Sequence, residues 1–387
     1  MIARLGDVCE IQSGGTPARS NLSYWEGGTI PWVKISDIKG EYLQITEEFI
    51  TEEGLQNSSA KIFPKGTILY TIFATLGETC ILDIDAATNQ AIAGITIKSD
   101  NVYREYLYYY LVSLKSAVNR LGRGVAQNNI NMGILRNLPI PLPPLDEQRK
   151  IAAVLDKVSD LIAKRRQQLD KLEELVRSRF VEMFGDMSHN PYNWPTHHLE
   201  EIADIVSGIT KGRKTKEQDL IEVPYMAVSN VKDGYIDWTT VKSILATQSE
   251  IKQYHLLPDD ILMTEGGDPD KLGRGAIIQN PPKNCIHQNH IFRVRLNETI
   301  LLPSYFAEFL KHQKAKQYFL RCAKQTTGIA SINMRQLKGL PTLLPPVDLQ
   351  NQFATFVEQT EKIKTAISRS LDKLETLKMA LMQEYFG

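Results

Sequence analysis

The spacing of apolar positions alternates between two regimes along the chain. Residues 1 to about 145 carry short β-branched runs separated by Gly, Pro and Asn, as in Ile30-Pro31-Trp32-Val33, Thr67-Ile68-Leu69-Tyr70-Thr71-Ile72 and Ile92-Ala93-Gly94-Ile95-Thr96-Ile97. Such runs predict strands. A helical stretch over residues 103 to about 121 comes late, so this half predicts an α+β unit rather than a regular βαβ alternation. From Asp146 the period becomes helical, with Ile151, Val154, Leu155, Val158, Leu161, Ile162, Leu169, Leu172, Leu175 and Val176 on one a/d/e stripe. Asp146 is the expected N-cap after Pro143-Pro144, and Gly185 the stop.

The same order then recurs. Strands are expected near residues 223–228 and 291–296 and a helix over 303 to about 321. A second stripe follows through Phe353, Phe356, Val357, Ile363, Ile367, Leu371, Leu374, Leu377 and Leu381. Between Ile130 and Gln148 and their counterparts Ile332 to Gln350, 11 of 19 positions are identical, at an offset of 202 residues. Both copies carry Leu-Asp-Lys-Leu-Glu in the helix, at Leu169 and Leu371, and both end in Phe-Gly, at Gly185 and Gly387. A period this long is a duplicated domain plus helix, not a solenoid repeat.

Earlier anchors correspond more loosely. Ser13-Gly14-Gly15-Thr16 aligns with Ser207-Gly208-Ile209-Thr210, and Ser36-Asp37-Ile38-Lys39 with Ser229-Asn230-Val231-Lys232. The expected segments are globular 1–145, helical 146–185, globular 186–345 and helical 346–387. Each helix of about 38 residues is about 57 Å long. Two helices with matching seams predict an antiparallel coiled coil joining two similar α+β halves in a pseudo-twofold repeat.

Composition narrows the chemistry. Charge is balanced at 45 Lys+Arg against 45 Asp+Glu, so any basic footprint must be local. Four scattered cysteines, Cys9, Cys80, Cys285 and Cys322, with no C-x-x-C pair and no secretory leader pattern point to a cytoplasmic protein. No run reaches the roughly 18 apolar residues a membrane span needs.

Enzymatic motifs are missing. There is no P-loop signature. Asn280-Pro281-Pro282-Lys283 has Lys where an amino-methyltransferase loop needs an aromatic, and no Gly-rich cofactor loop accompanies it. Pro258-Asp259-Asp260 with Glu265 lacks the lysine of a nuclease core and reads as a turn before a strand. Cys285, His287 and His290 give three possible metal ligands but no fourth. They are more simply polar side chains at a strand start, available to bases.

Local signals for nucleic acid are present. Lys211-Gly212-Arg213-Lys214-Thr215-Lys216 is the densest basic run, suited to tracking phosphates through Lys211, Arg213 and Lys214. Lys311, Lys314, Lys316, Arg321 and Lys324 precede Gln325-Thr326-Thr327, while the first copy has Arg120 and Arg123 before Gln127, Asn128 and Asn129. Both copies therefore set positive charge beside amides. Gln127, Asn129, Gln288 and Asn289 are side chains suited to adenine edges.

Ser13-Gly14-Gly15-Thr16-Pro17, Tyr24-Trp25, Ile30-Pro31-Trp32-Val33 and Leu142-Pro143-Pro144-Leu145-Asp146-Glu147-Gln148 together resemble the specificity subunit of type I restriction-modification systems, over the whole chain. The resemblance implies two target-recognition domains, each reading half of a split double-stranded DNA sequence. Paired helices would hold them apart and dock methyltransferase subunits, two being expected, with restriction subunits joining the complex. It implies no cofactor on this chain, with S-adenosylmethionine, ATP and Mg carried by the partner subunits. The candidate DNA-binding set is Gly14, Gly15, Thr16, Arg19, Arg123, Gln127, Asn128, Asn129, Lys211, Arg213, Lys214, Lys216, Arg274, Gln288, Asn289, Lys324, Gln325 and Thr326. One departure is that Glu147-Gln148-Arg149-Lys150 becomes Leu349-Gln350-Asn351-Gln352, so the two helices are not interchangeable. The competing readings are a stand-alone methyltransferase or nuclease, which the missing motifs oppose, and a coiled-coil scaffold binding only proteins.

Overall fold

The computed structural model describes residues 1–122, 130–213, 219–267, 272–326 and 329–387. It forms two compact units, Met1–Arg166 with Arg369–Gly387, and Gln167–Ser368. Each unit joins one globular half to a portion of both long helices.

In the first unit a five-stranded sheet runs in the order Cys9–Ser13, Ile92–Ile97, Ile68–Thr71, Thr79–Leu82, Tyr42–Leu43. A four-stranded sheet follows Glu48–Ile50, Ile30–Val33, Ala86–Thr88, Ile62–Phe63. The second unit repeats this plan. One sheet orders Ala203–Ser207, Ile291–Leu296, Ile261–Thr264, Gly275–Ile277, and another Lys242–Ala246, Ile221–Met226, Ile286–His287. Even the parallel joint recurs, between Ile30–Val33 and Ala86–Thr88 and between Ile221–Met226 and Ile286–His287. The second unit also contains a small sheet of Gly266–Gly267, Ile329–Ser331 and Lys324–Thr326.

The helix expected over residues 103–121 is broken, into Arg104–Ser113 and Lys115–Gly122. Its counterpart is Pro303–Lys311 and Gln313–Cys322. There the cause is His312, whose backbone is extended and whose ring accepts the Lys314 N–H at 3.2 Å, ending one helix and capping the next.

The long helices are Leu145–Phe184 and Val347–Phe386, each of 40 residues. Asp146 is not the N-cap. Pro144 O accepts the N–H groups of Glu147 and Gln148, which makes Leu145 the first helical residue and leaves Asp146 in the first turn, where its charge suits the helix dipole. Gly185 ends the first helix at φ +73°, a conformation glycine takes without strain.

The buried face is narrower than the apolar stripe. Ile151, Ala152, Leu155, Val158 and Ile162 are buried, whereas Val154, Leu161, Leu175, Ile363 and Leu377 are exposed. Within the first unit Phe386 lies 5.4 Å from Tyr106 and Arg166 pairs with Glu375 at 2.7 Å. Tyr106 in turn donates to Pro141 O, just ahead of the first helix. The two helical portions there run in opposite directions. The second unit shows the same sense, with Phe180 5.4 Å from Phe353 and Lys364 3.7 Å from Glu173. Phe180, Phe184, Tyr305 and Phe353 form one buried aromatic cluster, each such pair contributing about 0.5–1.5 kcal/mol beyond its area. Among the described residues no helix is long and apolar enough to cross a membrane.

Candidate nucleic-acid interface

In the second unit the strand Ala203–Ser207 leads into Gly208. A Cβ there would lie 1.9 Å from His287 O, so only glycine lets the two main chains pass. Ile209 N–H then donates to His287 O at 2.9 Å and Asn289 N–H to Ile209 O at 3.1 Å. This crossing fixes Ile209, two residues before Lys211, against His287 and Asn289.

The next links are also backbone bonds. Glu265 N–H donates to His290 O at 3.0 Å, and Ile332 N–H to Glu265 O at 2.8 Å. Gly266–Gly267 pairs with Ile329–Ser331, which pairs with Lys324–Thr326. Lys211, Gln288, Asn289, Lys324, Gln325 and Thr326, spread over more than a hundred positions, thus belong to one contiguous tract with Glu265 and His290 in its middle.

Individual side chains differ in what they can offer. Lys211 and Lys324 are exposed. Gln288 Oε1 accepts the Val228 N–H at 3.3 Å, and Asn289 Nδ2 sits 3.4 Å from His290 Nε2. Arg213 is committed elsewhere. Its guanidinium grips both Glu250 carboxylate oxygens with a side chain only 20% exposed, and this hydrogen bonding holds the Glu250 carboxyl below its usual range. Arg274 lines a depression with Asp233, Lys311 and Lys316, and its main-chain O accepts the Thr264 N–H at 3.3 Å. Lys214 and Lys216 lie outside the described residues.

The first unit repeats the frame. Gly14 N–H donates to Ile92 O and Gly15 N–H to Thr88 O, and a Cβ on Gly14 would fall 2.0 Å from Thr88 Oγ1. One on Gly15 would fall 2.3 Å from the Ser59 carbonyl carbon. At both positions the close approach of another chain segment requires glycine. The Thr16 hydroxyl bonds the Gln90 side chain. Arg19 stacks 3.7 Å over the Trp25 ring and pairs with Glu48 at 2.6 Å. Ile72 N–H donates to Ala91 O and Ile130 N–H to Ile72 O, the same bonds that join Glu265, His290 and Ile332. Arg123, Gln127, Asn128 and Asn129 lie outside the described residues.

The decoy motifs resolve as local structure. Asn280 and Asn284 take positive φ around a turn closed by Cys285 N–H to Pro282 O, and Asp259 does so ahead of the strand Ile261–Thr264. Asp260 is buried and paired with Arg295. Cys285 and His287 are buried, and both His287 ring nitrogens face main-chain carbonyls, of Tyr254 and Val206.

Sequence reasoning missed the pairing of Glu265 with His290, whose Nδ1 lies 2.5 Å from Glu265 Oε2. A signal existed. The first copy has Ile72 and Ala91 at these two places, so both positions change from apolar to polar together.

Comparison with known proteins agrees with this architecture. The family model for the type I restriction modification DNA specificity domain matches residues 1–174 and 191–378. The MjaIX specificity subunit of Methanocaldococcus jannaschii is 30% identical over 382 residues, covering 92% of this chain and 85% of that one. The EcoKI specificity subunit of Escherichia coli K12 is 21% identical, covering 100% and 88%. The S subunit of a type I system from M. genitalium superposes with a TM-score of 0.56 at 15% identity, covering 100% of this chain and 96% of that one. A chain from a structure of type I R-M complex assembly and conformational transition gives 0.58 at 19%, covering 100% and 97%. The chain belongs to the type I restriction-modification DNA specificity family.

Proposed function

We propose that this chain reads a bipartite, asymmetric DNA target, one half-site through each unit, and docks methyltransferase and restriction subunits while performing no catalysis itself. Two methyltransferase subunits are expected, bringing S-adenosylmethionine, with ATP and Mg on the restriction subunits. One observation carries the reading. The two units keep the same backbone frame, down to the bonds at Ile72 and Glu265, while the side chains on that frame differ. A shared frame with changed chemistry suits two readers of different sequences, because base edges are discriminated by side-chain donors and acceptors. Exposed Val154, Leu161, Leu175, Ile363 and Leu377 on the long helices support docking of partner subunits there by apolar contact. The helices are proposed to pair as an antiparallel coiled coil that fixes the separation of the half-sites.

Single-molecule methylome sequencing of cells carrying the system tests this. A methylated motif in two non-palindromic parts is expected. Replacing residues 1–140 with another recognition domain should change one part only, and a motif altered in both parts would refute the modular reading.

A further inference from the structure

Glu265 and His290 stand at the middle of the tract that runs from Lys211 to Lys324. Their side chains meet at 2.5 Å and remain 34% and 57% exposed. The pair is not needed to hold the backbone, since Ile72 and Ala91 occupy the same bonded frame in the first unit with apolar side chains. It also runs against the charge expected of a DNA-facing tract, because a carboxylate near phosphates is repelled. Such a group fits only if it meets a hydrogen-bond donor.

On the DNA side the donors open to an acceptor-only group are the exocyclic amines. A carboxylate accepts from cytosine N4, whereas adenine, with N6 donating and N7 accepting, is matched by Asn or Gln. Imidazole Nδ1 holds one Glu265 oxygen and fixes the carboxylate plane, leaving acceptor capacity for a base. Building on the DNA-specificity reading above, we propose that Glu265, oriented by His290, selects a cytosine in the half-site met by the second unit. Glu265 is the specificity-determining group and His290 a positioning residue.

The test uses the full chain assembled with its methyltransferase subunits, selecting from duplexes randomised across both half-sites. Wild type should select a cytosine at one position of one half-site. Glu265→Gln should reduce that preference by on the order of tenfold to a hundredfold, with adenine gaining. The other half-site should be unchanged, and affinity for random duplex equal or higher, since a negative charge is lost. His290→Ala should weaken the same position by a smaller factor. An unchanged motif in Glu265→Gln, or loss of selection in both half-sites at once, overturns the assignment. A wild-type complex with no bipartite motif overturns the functional reading itself, so the two failures are distinguishable.

Discussion

Gln148 accepts the main-chain N–H of Tyr103 at 2.9 Å, joining the first turn of the long helix to the segment that starts the helix Arg104–Ser113. Its amide nitrogen donates to Asn101 O at 2.9 Å and Pro143 O at 2.8 Å. Gln350 does the same in the second unit, with Leu302 N–H, Ile300 O and Pro345 O. Both glutamines are fully buried.

Three main-chain groups depend on each buried amide, and an unsatisfied buried group costs about 1–3 kcal/mol. Gln148→Ala should therefore destabilise its unit by about 1–3 kcal/mol. Gln148→Glu, which cannot donate when ionised, should be no better. Thermal unfolding of both variants checks this, and a midpoint within a degree of wild type would mean that the bonds are replaceable.

The position of Gln148 was visible in the sequence only as one identity among the duplicated anchors; its role needed the fold. The duplication itself was legible because the anchors encode shared geometry: Pro-Pro before the helix, Asn131 and Asn333 capping short helices through Ile134 and Gln336 N–H, and a terminal Phe-Gly. Gly14 and Gly15 also meet a steric demand, set by Thr88 and Ser59 far away in the chain, which the sequence around them does not reveal. Arg213 looked free because Glu250 is 37 residues on. Glu265 and His290 are 25 residues apart and meet only through sheet pairing, so neither spacing nor composition could join them.

Lys211 and Arg213 should separate experimentally. Lys211 is exposed, and Lys211→Ala should lower the slope of log K against log[salt] by about 0.9 for every sequence alike. Arg213→Ala removes the partner of a half-buried carboxylate and should instead cost about 1–3 kcal/mol of stability with little change in slope. Salt titrations of binding, run beside denaturant unfolding, read both quantities. Equal slope losses would return Arg213 to the phosphate contacts.

His287 predicts a pH dependence. Burial pulls its pKa from 6.5 down to about 4, despite the hydrogen bonds offered by Val206 and Tyr254 carbonyls. Between those values the unfolded chain binds a proton that the folded chain refuses, so stability is full above pH ~6.5 and falls as pH drops towards about 4. The loss over that window is on the order of a few kcal/mol. Unfolding measured at several pH values should show this slope in wild type and a shallower one in His287→Thr, which installs the residue of the first copy. Equal slopes would place the titrating group elsewhere.

The division between the compact units falls at Arg166 to Gln167 in one helix and Ser368 to Arg369 in the other, so the helices are the only covalent routes between the units. If they set the half-site separation, lengthening both should change it. Seven residues inserted near Gln167 and Arg369 keep the heptad phase and add about 10 Å at 1.5 Å per residue. On B-DNA, at about 3.4 Å per base pair, that corresponds to about three base pairs of added spacer. Three base pairs also rotate one half-site by roughly a quarter turn or more around the duplex, taking about ten per turn. Binding to the widened site should therefore be weaker than the wild-type interaction, while binding to the original site falls further. Each unit would keep its own bases, so only the spacer in the methylated motif should change. A folded insertion variant that methylates the original motif at the wild-type rate would show that spacing is set elsewhere.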